Sequence, residues 1–96
     1  MKIYQDKKLT EEVHKLDLGI VQAGDNKEYE FFVYNDTIAD LKELTFTIEH
    51  PEVSILSAPK SINAKVTASL KIKWSPSVTL KEKLQATLKI KGIELI

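Results

Sequence analysis

Period-two alternation, closely spaced turn residues and the lack of any continuous apolar run predict an all-β fold, an antiparallel β-sandwich of about seven strands. The alternation is longest in "KVTASLKIKW", where Val66, Ala68, Leu70, Ile72 and Trp74 share one face and Lys65, Thr67, Ser69, Lys71 and Lys73 the other. Turn-forming Gly, Pro, Asn and Asp separate such stretches, which recur with a period of roughly ten to fifteen residues. Parallel strands, buried on both faces, read as unbroken apolar runs, and every apolar stretch here alternates instead.

The elements follow in chain order. "KIYQ" reads as a first short strand. "KKLTEEVHKL" has the composition for a turn or two of helix, but Val13 and the alternation after it favour extended structure. "HKLDLGIV" places Leu16, Leu18 and Ile20 on one face, and "QAGDN" supplies turn chemistry. "EYEFFVYND" (residues 28 to 36) is a strand with apolar residues on both sides: if Tyr29, Phe31 and Val33 face the core, Phe32 and Tyr34 face away from it. "TIADLKEL" reads as a loop entering "LTFTIEH", which sends Leu44, Phe46 and Ile48 inward and Thr45, Thr47 and Glu49 outward. "VSIL" (53 to 56) is a short strand between Pro51 and Pro59. After "KVTASLKIKW", "LQATLKIK" puts Leu84, Ala86, Leu88 and Ile90 inward. Parity then breaks at Gly92, with Ile93 and Leu95 taking the apolar positions, as a bulge or kink there requires.

Composition narrows the function. Ninety-six residues make one domain with room for one core. The 14 basic residues balance 14 acidic ones and all of them are Lys, so the chain has no long-range field and no guanidinium fork for phosphate or guanine. Nucleic acid is therefore not an expected partner. Without Cys, disulfides and thiolate metal sites are excluded. "MKIYQDKKLTEEVHKL" turns polar early, so neither a signal peptide nor a membrane span is expected, and the chain is expected to be made in a cytoplasm.

No catalytic, cofactor or metal constellation stands out. His14 and His50 are 36 positions apart and read as surface residues at strand ends. Asp17, Asp25, Asp36 and Asp40 fall at turns, where Asp serves the backbone, and lack the fixed spacing of a Ca²⁺ loop. Trp74 keeps the parity of Leu70 and Ile72 and reads as core. A sugar-stacking platform is its functional alternative. The lysines at 65, 71, 73, 89 and 91 read as a solvated face that discourages strand aggregation, with docking onto an acidic partner as the alternative.

Two stretches carry a family resemblance. "LDLGIVQAGDNKEYEFFVYND" has a Gly after an apolar pair, a second Gly, then a strand ending in Asn. "APKSINAKVTASLKIKWSPS" has an apolar-Pro entry, an alternating strand, and a Pro just past its end. Together they resemble the immunoglobulin-like sandwiches of the abnormal-spindle and Hydin type, relatives in layout of the PapD-like and major-sperm-protein domains. The whole chain also looks like small immunoglobulin-like virion proteins of tailed bacteriophages. Gly19, Gly24, Asn35 and Pro76 match that layout as turn and strand-end residues, over roughly residues 14 to 91. The chain departs from the Hydin type in standing without tandem copies. The resemblance implies a non-enzymatic structural or accessory protein of a phage particle, as capsid decoration or tail module. Its partners would be other virion proteins, with homo-oligomers within the assembly, and no cofactor, nucleic acid or membrane. A free-standing carbohydrate- or protein-binding module is the alternative.

The expected contact residues are Phe32, Tyr34, Tyr4 and Ile96. Rings of this size bury about 150 to 250 Å² each, so a monomer is not expected to leave Phe32 and Tyr34 bare. Either the N-terminal segment with Ile3 and Tyr4 covers them, or another subunit does. "GIELI" ends on Ile96, and the last strand is expected on an edge or against a neighbour.

Overall fold

The computed structural model describes residues 1–78 and 84–95. Its eight strands are β1 (Lys2–Tyr4), β2 (Leu16–Gly19), β3 (Lys27–Tyr34), β4 (Asp40–Ile48), β5 (Val53–Ser57), β6 (Thr67–Trp74), β7 (Leu84–Ala86) and β8 (Leu88–Leu95). All pairings are antiparallel, and no helix occurs among the described residues. One layer is the sheet β1-β3-β6-β5; the other comprises the pairs β2-β7 and β4-β8. Only Thr87 separates β7 from β8, so these pairs are successive halves of one layer. The expected sandwich is present, with "LQATLKIK" split in two at Thr87, where the chain exchanges β2 for β4 as its partner.

The core forms between the layers. From the first come Phe31, Val33, Leu70, Ile72, Trp74 and Val53; from the second, Leu16, Leu18, Leu41, Leu44 and Ala86. Phe31 and Val33 lie inward in β3, as do Leu70, Ile72 and Trp74 in β6. Trp74 is 0% exposed, and its Nε1–H finds no acceptor among the described residues. A ring so enclosed has no face to offer a sugar.

Three inward assignments and one strand boundary change, each for a backbone reason. Gly19 has φ +67°, a left-handed turn that ends β2 and brings Val21 rather than Ile20 to the core, leaving Ile20 exposed. Lys65 has φ +62° within a turn in which the Val66 N–H donates to the Asn63 C=O (3.1 Å), so β6 begins at Thr67 and Val66 is exposed. β4 begins at Asp40 rather than Leu44, because Leu41 and Ile62 exchange two backbone hydrogen bonds (3.0 and 2.9 Å) and Asp40 Oδ1 accepts from the Ala64 N–H at 2.8 Å. The bulge expected at Gly92 exists, but its extra residue is on the facing strand: Glu43 (φ +51°) and Leu44 together oppose Gly92. A Cβ on Gly92 would lie 2.6 Å from Leu44 Cδ2, so glycine is what allows this approach. β8 itself keeps its alternation, and Ile93 therefore faces outward, half exposed. The side chain of Leu95 and all of Ile96 lie outside the described residues.

Two polar contacts tie the layers. Asn35, 0% exposed, donates from Nδ2 to the Ala39 C=O (2.8 Å) and the Ile62 C=O (3.0 Å), while its Oδ1 accepts from the Thr37 N–H (3.0 Å) and hydroxyl (2.6 Å). Its backbone N–H donates to the Val66 C=O (3.1 Å) and its C=O accepts from the Lys65 N–H (2.8 Å). At the other end of β3, the Tyr29 hydroxyl donates to the Leu18 C=O of β2. Burial, reinforced by the charge of Asp17, raises the Tyr29 phenol above its ordinary value.

Two outcomes follow. Asn35→Ala removes four side-chain hydrogen bonds and leaves the Thr37 N–H without its acceptor, a loss of about 3 kcal/mol. Calorimetry should then show a drop in Tm of more than about 10 °C; a change of only a degree or two would contradict the layer-tying role. Tyr29→Phe should cost about 0.5–1.5 kcal/mol at neutral pH. The folded-state pKa lies above the unfolded one, so this contribution is full below about pH 10 and is lost as pH rises through the folded pKa. Denaturant titrations should therefore show the gap between wild type and Tyr29→Phe closing at alkaline pH.

Candidate protein-contact surface

The outward side of the first layer is set by strand register. Tyr4 is paired with Phe32 and Phe32 with Ser69; Lys2 is paired with Tyr34 and Tyr34 with Thr67. Directly opposed residues of an antiparallel pair share a face, which puts Tyr4 beside Phe32 with Tyr34 two residues along the same strand. Tyr4, Phe32 and Tyr34 are all half-buried.

The N-terminal segment thus flanks the rings as a neighbouring strand. Ile3 packs against the core instead of folding over them. β1 is secured on its far side by the Val13 N–H to Ile3 C=O bond (2.8 Å) and the Gln5 N–H to Glu11 C=O bond (3.0 Å). The loop between is held by Asp6, whose carboxylate accepts from the Thr10 hydroxyl (2.5 Å) and the Thr10 and Glu11 N–H groups (2.9 Å each). These bonds, the Thr10 hydroxyl first, lower the Asp6 pKa. Lys7 from this loop, with Glu30, Thr67 and Ser69, borders a shallow recess beside Phe32.

Beside the Tyr34 end two further apolar residues are exposed, Ile38, which the alternation did not single out, and Val66, which it placed inward. Ile38 is 89% exposed in the loop before β4, and Val66 is 46% exposed in the turn that bonds to Asn35. Asp36 joins this end to the N-terminus, with the Met1 ammonium 3.1 Å from its Oδ1 and Lys65 Nζ donating to its C=O (2.6 Å). The ammonium lowers the Asp36 pKa. The available signal for Ile38 was a lone apolar residue in "NDTIAD", between polar residues that favour turns.

Several of the other candidates find structural partners. Asp17 Oδ1 accepts from the Gly19 N–H (3.0 Å), and His50 Nδ1 from the Glu52 N–H (3.2 Å). Among the described residues no group of three His, Cys, Asp or Glu is placed to hold a metal ion. Lys71 pairs with Glu30 (4.0 Å) and Lys89 with Glu49 (2.5 Å), cross-strand pairs on solvated faces. The matched residues Gly24 and Pro76 meet, the Gly24 N–H donating to the Pro76 C=O at 3.2 Å.

Compared with models of known families, with curated proteins and with solved structures, the chain matches none. Its function is therefore argued from its own surface. The register makes Tyr4 and Phe32 energetically coupled. A double-mutant cycle with Tyr4→Ser and Phe32→Ser should return an interaction of about 0.5–1 kcal/mol in thermal or urea unfolding. Additive losses would show that the two rings do not meet.

Proposed function

We propose that this chain is a non-enzymatic structural module that acts through protein contacts, as an accessory protein of a bacteriophage particle attached to the capsid or tail. One observation carries the contact role: three aromatic rings, Tyr4, Phe32 and Tyr34, share one outward face and stay only half-buried after the chain's own first strand has packed beside them. Aromatic residues are enriched at protein interfaces because their area desolvates at little cost in side-chain freedom. Ile38 and Val66, close in sequence to Tyr34 and to its partner Thr67, are exposed as well.

The assignment to a virion rests on the resemblance to small immunoglobulin-like phage proteins, with the two-layered antiparallel fold in keeping with it. The contact face equally suits a free-standing protein-binding module, whereas a carbohydrate module acting through Trp74 finds no support in a ring that is 0% exposed.

Mass spectrometry of particles purified from the source phage should detect the wild-type chain. The Phe32→Ser, Tyr34→Ser double variant should remain folded as a monomer yet be lost from the particles. Absence of the wild-type chain from purified particles would contradict the virion role. Retention of the folded double variant would contradict the face.

A further inference from the structure

An unpaired strand edge exposes a row of N–H and C=O groups, and most such edges of this fold are short, covered or interrupted. β1 is covered by the 11–13 segment. The free side of β5 is broken by a register shift between Ile55 and Ser57 and flanked by Pro51 and Pro59. The free side of β4 is taken by the 60–62 segment, which bonds at Leu41 and Leu44, and β2 runs for only Leu16–Gly19. β8, Leu88–Leu95, has β4 on one side and, among the described residues, no strand on the other.

The chemistry of that edge can be read residue by residue. The Glu49 N–H donates to the Thr87 C=O (3.3 Å), so odd-numbered residues there turn their peptide groups toward β4. Leu88, Ile90 and Gly92 consequently present theirs on the free side. The side chains of Leu88 and Ile90 point inward but remain half-buried, whereas Leu70 and Ile72 of the other layer are 0% exposed. On the inner face of the β4-β8 pair is an open recess lined by Leu41, Leu44, Ile90, Gly92 and Glu94, together with Met1 and Thr37. On the outward side, Lys89 is engaged by Glu49, while Lys91, opposite Thr45, has no acidic partner among the described residues.

We propose that the free edge of β8 receives an extended segment of a different protein as an added strand. Its apolar residues face the Leu41, Leu44 and Ile90 recess and its acidic residues face Lys91 and Lys89. This site lies on the opposite layer from the aromatic face and does not depend on it. A second copy of β8 is a poor occupant. Two-fold antiparallel pairing sets residues of the same face opposite one another: centred on residue 90 or 91 it opposes lysines, and centred on Gly92 it sets Glu94 against Ile90 and Lys91 against Ile93. Along Leu88–Gly92, where the inner residues are apolar or Gly and the outer ones are lysines, an alternating apolar and acidic strand meets neither conflict.

The test is an amide-resolved NMR titration of the ¹⁵N-labelled chain with two blocked peptides matched in length to β8, one alternating valine with glutamate and the other valine with lysine. The acidic peptide should shift the amides of Leu88, Ile90 and Gly92 saturably and bind about tenfold more tightly than the basic one, the difference expected from two rim charges. Lys91→Glu, an exposed change that leaves the melting curve in place, should shrink or reverse that preference. Shifts confined to other strands, equal affinity for both peptides, no saturable binding, or self-association at those amides without peptide would each overturn the proposal.

Discussion

Asn35 is the constraint on which the arrangement of the layers depends. Its side chain holds the loop leading into β4 through Thr37 and Ala39, and reaches the 60–62 segment through Ile62. Its backbone holds the turn into β6. Each of these segments joins one layer to the other, so one amide, with both donor hydrogens and its acceptor oxygen satisfied, sets where the chain crosses. A buried polar group in that state is specific because every alternative arrangement strands it. Tyr29 does similar work at the far end of β3, on the β2 backbone.

The period-two pattern made most of the fold legible in the sequence, because every long strand has one face in a common core. Phe31, Val33, Leu70, Ile72, Leu16 and Leu18 were readable on that ground alone. The pattern failed where the backbone turned left-handed or a strand found an unforeseen partner. Gly19 and Lys65 change the facing of the residues that follow them, and alternation carries no record of φ. β4 starts at Asp40 because of hydrogen bonds to residues 60–64, a pairing remote in sequence. Gly92 marked its bulge correctly, while the extra residue sat across the ladder at Glu43, since a parity break in one strand does not say which strand carries the insertion.

The contact face was partly legible for the same reason. Phe32 and Tyr34 stood out by breaking the one-sided rule, and the register of β1 explains how Tyr4 joins them. Ile38 did not stand out, because a single apolar residue in a turn looks like many others, and Val66 was read as an inward residue of the alternating strand it precedes. The two layers also differ in completeness. The sheet around β6 is paired on both sides of its central strands and buries Phe31, Val33, Leu70, Ile72 and Trp74 on its inner face. The β4-β8 pair leaves Leu88, Ile90, Phe46 and Ile48 only half covered. That asymmetry follows from topology: the chain switches from β2 to β4 at Thr87, so among the described residues β8 has one neighbour where β3 and β6 have two.

If the Asn35 junction governs how the layers are joined, it should be among the last parts of the molecule to open. Native-state hydrogen exchange measures this directly. The amides of Asn35, Leu41, Ile62 and Lys65, each bonded across the junction, should exchange as slowly as those of Leu70 and Ile72, through global unfolding alone. If they exchange orders of magnitude faster while β6 stays protected, the junction opens locally and the layers are held together by apolar packing without it.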